Sequence, residues 1–274
     1  MEERTTTPPP RSGRLLGGLY AGNARAVLAR GLTATRSSNW AVVASGFLEP
    51  VLYLLSLGIG LGGVIGSVQA ADGREIPYAA YIAPALLAVS AMNGAIMDST
   101  WNVFFKMHFS KLYAGMVATS LGPFDVALGE IGLALLRGAA YATGFLVIMQ
   151  ALGLNLAWTA LLALPAVVLI AAGFASVGMA ITSFMRTFQQ MDWVQFFLLP
   201  MFLFSATFYP VTVYPPAVQV LVQVFPLYHG VELIRGLTTG ALSVAMLGHL
   251  AYYVVMVLVG VVFTTRRLRA LFLD

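Results

Sequence analysis

An all-α integral membrane protein is the fold class that three features of the sequence predict. Charged residues make up only 9% of the chain while 59% is hydrophobic, whereas soluble domains carry about 25% charged residues. The apolar residues gather into six long, continuous runs. Lysine and arginine crowd the segments on one side of those runs. Eleven acidic and fifteen basic residues cannot give a 274-residue globule its water-facing surface, and the mean hydropathy is +0.85. Lipid is therefore the solvent for most of the chain. Continuous rather than alternating apolar runs exclude strands and an outer-membrane barrel.

Residues 1–13, "MEERTTTPPPRSG", are polar and proline-rich and are expected to form a disordered tail. They lack the apolar stretch and small-residue cleavage site of a secretory signal. Residues 14–39 read as a cytoplasmic interfacial helix. Arg14, Arg25 and Arg36 recur every eleven residues as one stripe, with Leu16, Leu19, Tyr20 and Val27 on the far side. Residues 40–274 form a six-span transmembrane domain, because a span needs about 20 mainly apolar residues. The spans fall at about 40–65, 78–98, 124–149, 158–183, 193–209 and 245–265, the fifth being the shortest.

Basic residues set the orientation. With both termini in the cytoplasm, the inner side receives Arg4, Arg11, Arg14, Arg25, Arg30, Arg36, Lys106, Lys111, Arg186, Arg266, Arg267 and Arg269. The outer side receives Arg74 and Arg235, and Arg137 stays within span 3. The net charge of +4 thus marks a face toward anionic lipid headgroups, not a nucleic-acid surface. Abundant alanine, glycine and valine with only two lysines lean toward a GC-rich bacterial genome.

Span 1 contains "LGIGLGG", a literal G-x-G-x-x-G at Gly58, Gly60 and Gly63. A dinucleotide site would need a strand before it and a helix after it, and the flanks here are apolar on both sides. The same stretch gives Gly58-xxx-Gly62 and Gly62-xxx-Gly66, a spacing that lets helices approach closely. Close packing, or a helix that loosens near the outer surface, accounts for these glycines.

Chemistry of the enzymatic kind finds little support. No G-x-x-x-x-G-K-[ST] phosphate loop, G-x-S-x-G or H-E-x-x-H occurs, and cysteine is absent. His108, His229 and His249 are scattered without metal-ligand spacing. No catalytic residue, metal or cofactor is expected in this chain. Charges inside spans are the exceptions, since burying them in lipid is costly. Glu49 lies about nine residues into span 1 and Arg137 about thirteen into span 3, at comparable depths for a rise of about 1.5 Å per residue. They are expected to pair or to line a shared polar path; a structural ion pair that only fixes packing accounts for them equally well. Glu130 lies two turns below Arg137 on the same face. Asp98 lies near the inner end of span 2 and Asp125 at the start of span 3, and all three of these acids read most simply as interfacial charges.

Two connectors stand out. From Lys106 to Pro123 the chain mixes basic, aromatic and small residues on the inner side, with a short helix expected at roughly Lys111 to Thr119. Between spans 5 and 6, prolines at 210, 215, 216 and 226 interrupt an apolar segment. Irregular backbone at membrane depth must be buried in protein or line a cavity, so two short re-entrant helices are expected there. His229, Glu232 and Arg235 share one face of the second.

Four stretches together resemble the membrane subunit of type-2 ABC exporters, particularly the nodulation-protein J branch, with daunorubicin-resistance permeases more distant. They are "EPVLYLLSLGIGLG" in span 1, "YIAPALLAVSAMNGAIMDSTWNVFFKM" through span 2, "FDVALGE" opening span 3 and "PLYHGVELIRGL" after the prolines. The similarity covers about residues 30–270. It implies the permease subunit of an ATP-driven exporter in the bacterial inner membrane, moving an amphipathic cargo such as a lipid-linked saccharide, a glycolipid or a hydrophobic drug. It implies a second permease subunit, and P-loop ATPase subunits that carry ATP and Mg. Lys111, Leu112, Tyr113, Met116, Thr119, Leu121 and Pro123 would lie in the ATPase-coupling segment. Pro210, Pro215, Pro216, Pro226, His229, Glu232 and Arg235 would cap the exit, and Glu49 falls in the family's Glu-Pro. Two departures are visible. The family usually has proline before the leucine of the coupling segment, where this chain has Ser120-Leu121. It often has Ser-Gly before the outer prolines, where this chain has Ser205-Ala206. Aromatic and methionine residues such as Trp101, Met191, Trp193, Phe196 and Phe197 contact either cargo or lipid. The alternative function, an integral membrane transferase acting on a lipid, has only Glu49, Arg137 and Glu130 as candidates and no nucleophile.

Overall fold

The computed structural model describes residues 22–36, 48–70 and 73–272. The first short helix, α1 (Ala24–Arg36), is followed by α2 (Leu48–Ile65) and a two-stranded antiparallel hairpin of β1 (Ser67–Gln69) and β2 (Glu75–Pro77). Then come α3 (Tyr78–Phe109), α4 (Leu112–Val117), α5 (Pro123–Ala151) and α6 (Trp158–Thr182). The chain ends with α7 (Met191–Phe204), α8 (Pro216–Val224), α9 (Pro226–Thr239) and α10 (Ala245–Phe272). Among the described residues, α2, α3, α5, α6 and α10 are long and apolar enough to cross a bilayer, and the bent pair α8–α9 would make a sixth if counted as one span. The chain is thus a multi-pass, mainly helical membrane protein.

Several expectations need correction. Within the first helix only residues 24–36 are helical among those described; Gly22 at φ +79° and Asn23 precede it. Arg14, Leu16, Leu19 and Tyr20, the tail 1–13 and residues 40–47 of the first span lie outside the described residues. The hairpin adds strand to a chain expected to be all helix; strands of three residues are too short to show a period. Span 2 does not end at Asp98. It runs on to Phe109 through wider, i→i+5 bonded turns at Asp98–Asn102 and Phe105–Phe109. Its polar residues there are held by partners on other elements, which removes the reason to leave the helix.

The fifth expected span, 193–209, is helical only to Phe204. At about 1.5 Å per residue, the fourteen residues of α7 span about 21 Å, short of the ~30 Å hydrocarbon core. Ser205 leaves helical geometry and Ala206 takes φ +55°.

α3 is the central helix, 78% buried over its apolar window and packed against α5, α6 and α9; α2 and α10 are each 11% buried. Lipid tails are as apolar as leucine, so helix association here rests on close packing and polar bonds. Glycine supplies that closeness at two crossings. A Cβ on Gly129 of α5 would come within 2.5 Å of Val27 on α1, and one on Gly260 of α10 within 2.6 Å of the Ser176 hydroxyl on α6. In the "LGIGLGG" run, Gly58 and Gly62 face the start of α3, while Gly60 and Gly63 face open space. The helix is π-like from Leu54 to Leu61, and Gly66 leaves it at φ +76°. Both packing and loosening are therefore present.

Candidate functional site

Polar side chains concentrate at the two ends of the bundle. At the end holding α1, the start of α5 is capped by its own Asp125. One carboxylate oxygen accepts from the Gly122 amide at 2.9 Å, and the other accepts from the Asn23 amide at 2.9 Å. A single fully buried side chain thereby fixes both the start of α5 and the start of α1. Pro123 sits at the first helical position, where its missing N–H costs nothing.

The connector from Lys111 to Pro123 folds as the short helix α4. Lys111, at φ +47°, precedes it. Tyr113 and Met116 point inward, Leu112 and Leu121 are half-buried, and the Thr119 hydroxyl donates to the Met116 carbonyl at 2.6 Å. Burial, followed by the Glu130 carboxylate, pushes the Tyr113 phenol well above its usual value. The free face of α4 carries Lys111, Ala114, Gly115 and Ala118.

Glu130 joins these elements. Its side chain is 6% exposed and accepts from Lys106 of α3 at 2.5 Å, with Arg30 of α1 at 3.9 Å. Above it, Arg137 donates to Asp98 of α3 at 2.5 Å. This corrects the expected Glu49–Arg137 pair: equal depth in two helices does not mean facing sides, and the continuation of α3 carries Asp98 alongside Arg137. Asp98 and Glu130 are accordingly paired inside the bundle, with Arg137 and Lys106, and Asp125 is a fully buried cap; none of the three is the interfacial charge expected.

Glu49 lies elsewhere, with Pro50 and Tyr53 of α2, in a cavity of about 190 Å³ shared with Ser90 and Asn93 of α3 and Gln195 and Phe202 of α7. No counter-charge pairs with Glu49 among the described residues. Sequence reasoning found Glu49 but not Asn93 or Gln195, which share its cavity from other helices. Of the aromatic and methionine candidates, Met191 is buried against Phe104 and Met185, and Trp101 packs edge-on to Phe188. Trp193, Phe196 and Phe197 remain 63–67% exposed along α7.

At the opposite end, Arg235 of α9 is 5% exposed. It donates to Glu232 at 2.6 Å, to the Ala206 carbonyl at 2.8 Å and to the Tyr81 carbonyl at 3.3 Å, and stacks at 3.8 Å over the Tyr81 ring. The guanidinium thus takes up the Ala206 carbonyl, freed where α7 unwinds, and ties it to the first turn of α3, which is how irregular backbone is tolerated at membrane depth. Pro210 precedes a single 3-10 turn, Val211–Val213, while Pro216, after Pro215, and Pro226 open α8 and α9, which meet at 89°. His229 meets His249 of α10 at 2.8 Å, a pairing across twenty residues that no spacing rule announces. Arg74, on the hairpin, donates to the Thr239 carbonyl at 2.9 Å. Among the described residues, no group of three or more metal-ligating side chains is placed to hold a metal ion.

Comparison with known proteins assigns this architecture. The family model described as ABC-2 type transporter matches residues 23–239. Nodulation protein J of Rhizobium leguminosarum bv. viciae is 30% identical over 246 residues, covering 89% of this chain and 93% of the relative. Nodulation protein J of Sinorhizobium fredii is 32% identical over 211 residues, 77% of this chain and 79% of that protein. The Rhizobium meliloti protein of the same name is 29% identical over 218 residues, 79% and 81% of the two chains. The match spans the helices that build both polar ends, and the chain belongs to the ABC-2 type transporter family of membrane proteins.

Proposed function

We propose that this chain is the permease subunit of an ATP-driven exporter in the bacterial inner membrane. It pairs with a second permease and is driven by separate P-loop ATPase subunits, which hold ATP and Mg. The observation that supports this best is the unit at the end holding α1. There α1, α4 and the start of α5 are tied together by Asp125, by the Val27–Gly129 contact and by Glu130. The far end of α3 enters the same unit through Lys106. A push on the exposed face of α4 is transmitted through Tyr113 and Glu130 to α3, the most buried helix of the bundle. Such coupling is a biased two-state equilibrium, driven by a partner that contacts one state better.

The basic residues favour the same orientation. Arg25, Arg30, Lys106, Lys111, Arg186, Arg266, Arg267 and Arg269 lie in segments at the end of the bundle that carries α1 and α4, a bias that supports reading that end as the cytoplasmic one. The re-entrant pair α8–α9 then lies outside and caps the exit. The cargo is amphipathic, a lipid-linked saccharide, glycolipid or hydrophobic drug. Its polar part would meet Glu49, Asn93 and Gln195, and its apolar part the aromatic face of α7.

The test is co-expression with a P-loop ATPase encoded beside it, followed by reconstitution in liposomes. ATP-dependent transport of a labelled amphiphile is expected. Ala114→Trp and Ala118→Trp, on the free face of α4, should abolish it while leaving the permease folded. Full transport by this chain alone without ATP would overturn the reading.

A further inference from the structure

A pair of imidazole rings ties two elements together at the end opposite α1. Nδ1 of His229 on α9 lies 2.8 Å from Nδ1 of His249, in the second turn of α10. In the neutral pair one ring supplies an Nδ1–H and the other accepts it. α10 meets the α8–α9 elbow twice more. The Tyr252 ring stacks on His229 at 4.1 Å, and the Tyr253 hydroxyl donates at 2.8 Å to the Pro226 carbonyl, at the 89° bend between α8 and α9.

We propose that the His229–His249 pair is a pH-sensitive latch that fastens the bent α8–α9 hairpin to α10 near neutral pH and releases it in acid. The proposal rests on the reading above for what the hairpin does, namely cap the exit. One added proton leaves the link intact, because the charged ring donates its Nδ1–H and the ring that stays neutral accepts. A second proton puts an N–H on both facing nitrogens and two like charges at 2.8 Å, so the bond is lost and repulsion replaces it. Release therefore follows the second protonation of the pair. Facing groups are few. α9 presents Tyr228 and Glu232, the latter held by Arg235, behind which lies Tyr81 of α3; α10 presents Tyr252 and Tyr253. α8 and α6 carry no titratable side chain. Glu232 is the single acid of this set. It favours the first proton, and its pairing with Arg235 limits its hold on the second.

The native sequence has no cysteine, so spin labels at Val220→Cys on α8 and Leu247→Cys on α10, both 65% exposed, report the hairpin's position. The complete transporter in nanodiscs, with labelled subunits diluted by unlabelled ones, is measured by pulsed dipolar spectroscopy from pH about 7.5 to about 5, across the imidazole range. A severalfold growth of a longer-distance population is expected in acid. His249→Asn offers an amide at the position of Nδ1 that can donate to neutral His229 or accept from its cation. It should stay closed throughout. His249→Ala should be open throughout. An unchanged distance in the parent, or a His249→Asn variant that titrates like the parent, overturns the latch. In right-side-out vesicles, acid outside should suffice. A hairpin that responds instead to the interior pH supports the latch and overturns the exit-cap reading.

Discussion

Glu130 and Arg235 are both charged, both nearly shut off from water, and satisfied in opposite ways. Glu130 is held by the ends of two long side chains, Lys106 at 2.5 Å and Arg30 at 3.9 Å, which are themselves 24% and 41% exposed. Arg235 is held by two backbone carbonyls, an aromatic face and Glu232. The first arrangement joins three helices through groups that can swing away and be rehydrated. The second clamps backbone at Ala206 that has left its helix. One is a joint, the other an anchor, and the cost of breaking each should differ accordingly.

The largest effect is expected at the anchor. Arg235→Leu leaves the Ala206 carbonyl unpaired in a dry site and strips Glu232, itself 25% exposed, of its partner, a loss toward the lower end of about 3–5 kcal/mol. Arg235→Lys should recover little of it, because an ammonium cannot fork between a carboxylate and separate carbonyls while stacking on Tyr81. Thermal unfolding of the detergent-purified subunit measures both. Near-complete rescue by lysine would show that charge, not geometry, is what the site needs.

The joint should be weaker. Glu130→Gln removes the shared acceptor, but Lys106 and Arg30 can turn to solvent, so a loss of about 1–3 kcal/mol is expected. Its signature is local: faster tryptic cleavage at Arg25 and Arg30 as α1 comes loose, with the hairpin end unaffected. Unchanged cleavage would mean that the Val27–Gly129 contact and Asp125 hold α1 without Glu130.

Between the two ends, a double-mutant cycle separates true partners from residues that merely share a depth. Asp98→Asn with Arg137→Gln should show a coupling of about 0.5–3 kcal/mol. Glu49→Gln with Arg137→Gln should be additive. Coupling between Glu49 and Arg137 would contradict the packing of α5 against α3 described above.

These contrasts also mark what could be read from the chain itself. Spans 2, 3, 4 and 6 are legible because lipid demands long apolar runs, and the arginines gather on one side for the same reason. The two short helices that follow, bent against each other, are legible from Pro215, Pro216 and Pro226, whereas the unwinding at Ser205, inside the expected fifth span, is not. What is not legible is what faces what. Asp98, Lys106 and His108 look like the end of a span because they are polar. They continue α3 because Arg137, Glu130 and the Met185 carbonyl wait opposite them. The depth of Glu49 is readable by counting residues, but its direction around the helix is not, and direction decided its neighbours. The His229–His249 contact depends on the turn between α9 and α10, which no periodicity encodes.

The smallest predicted effect tests the anchor from its other side. Ala206, whose carbonyl Arg235 holds at 2.8 Å, sits at φ +55°, where an L side chain costs about 1–2 kcal/mol and glycine costs little. Ala206→Gly relieves the strain but loosens the unfolded chain, so the net gain should be only about 0.5–1 kcal/mol, seen as a small rise in Tm. The Cβ of Ala206 is itself buried, and the cavity left by its removal works against that gain. A fall in Tm would mean that the packing of this methyl group, and not Arg235 overcoming backbone strain, keeps the turn in place. A rise that persists in Arg235→Leu would show that the turn forms without its anchor, and would reduce Arg235 to a partner of Glu232.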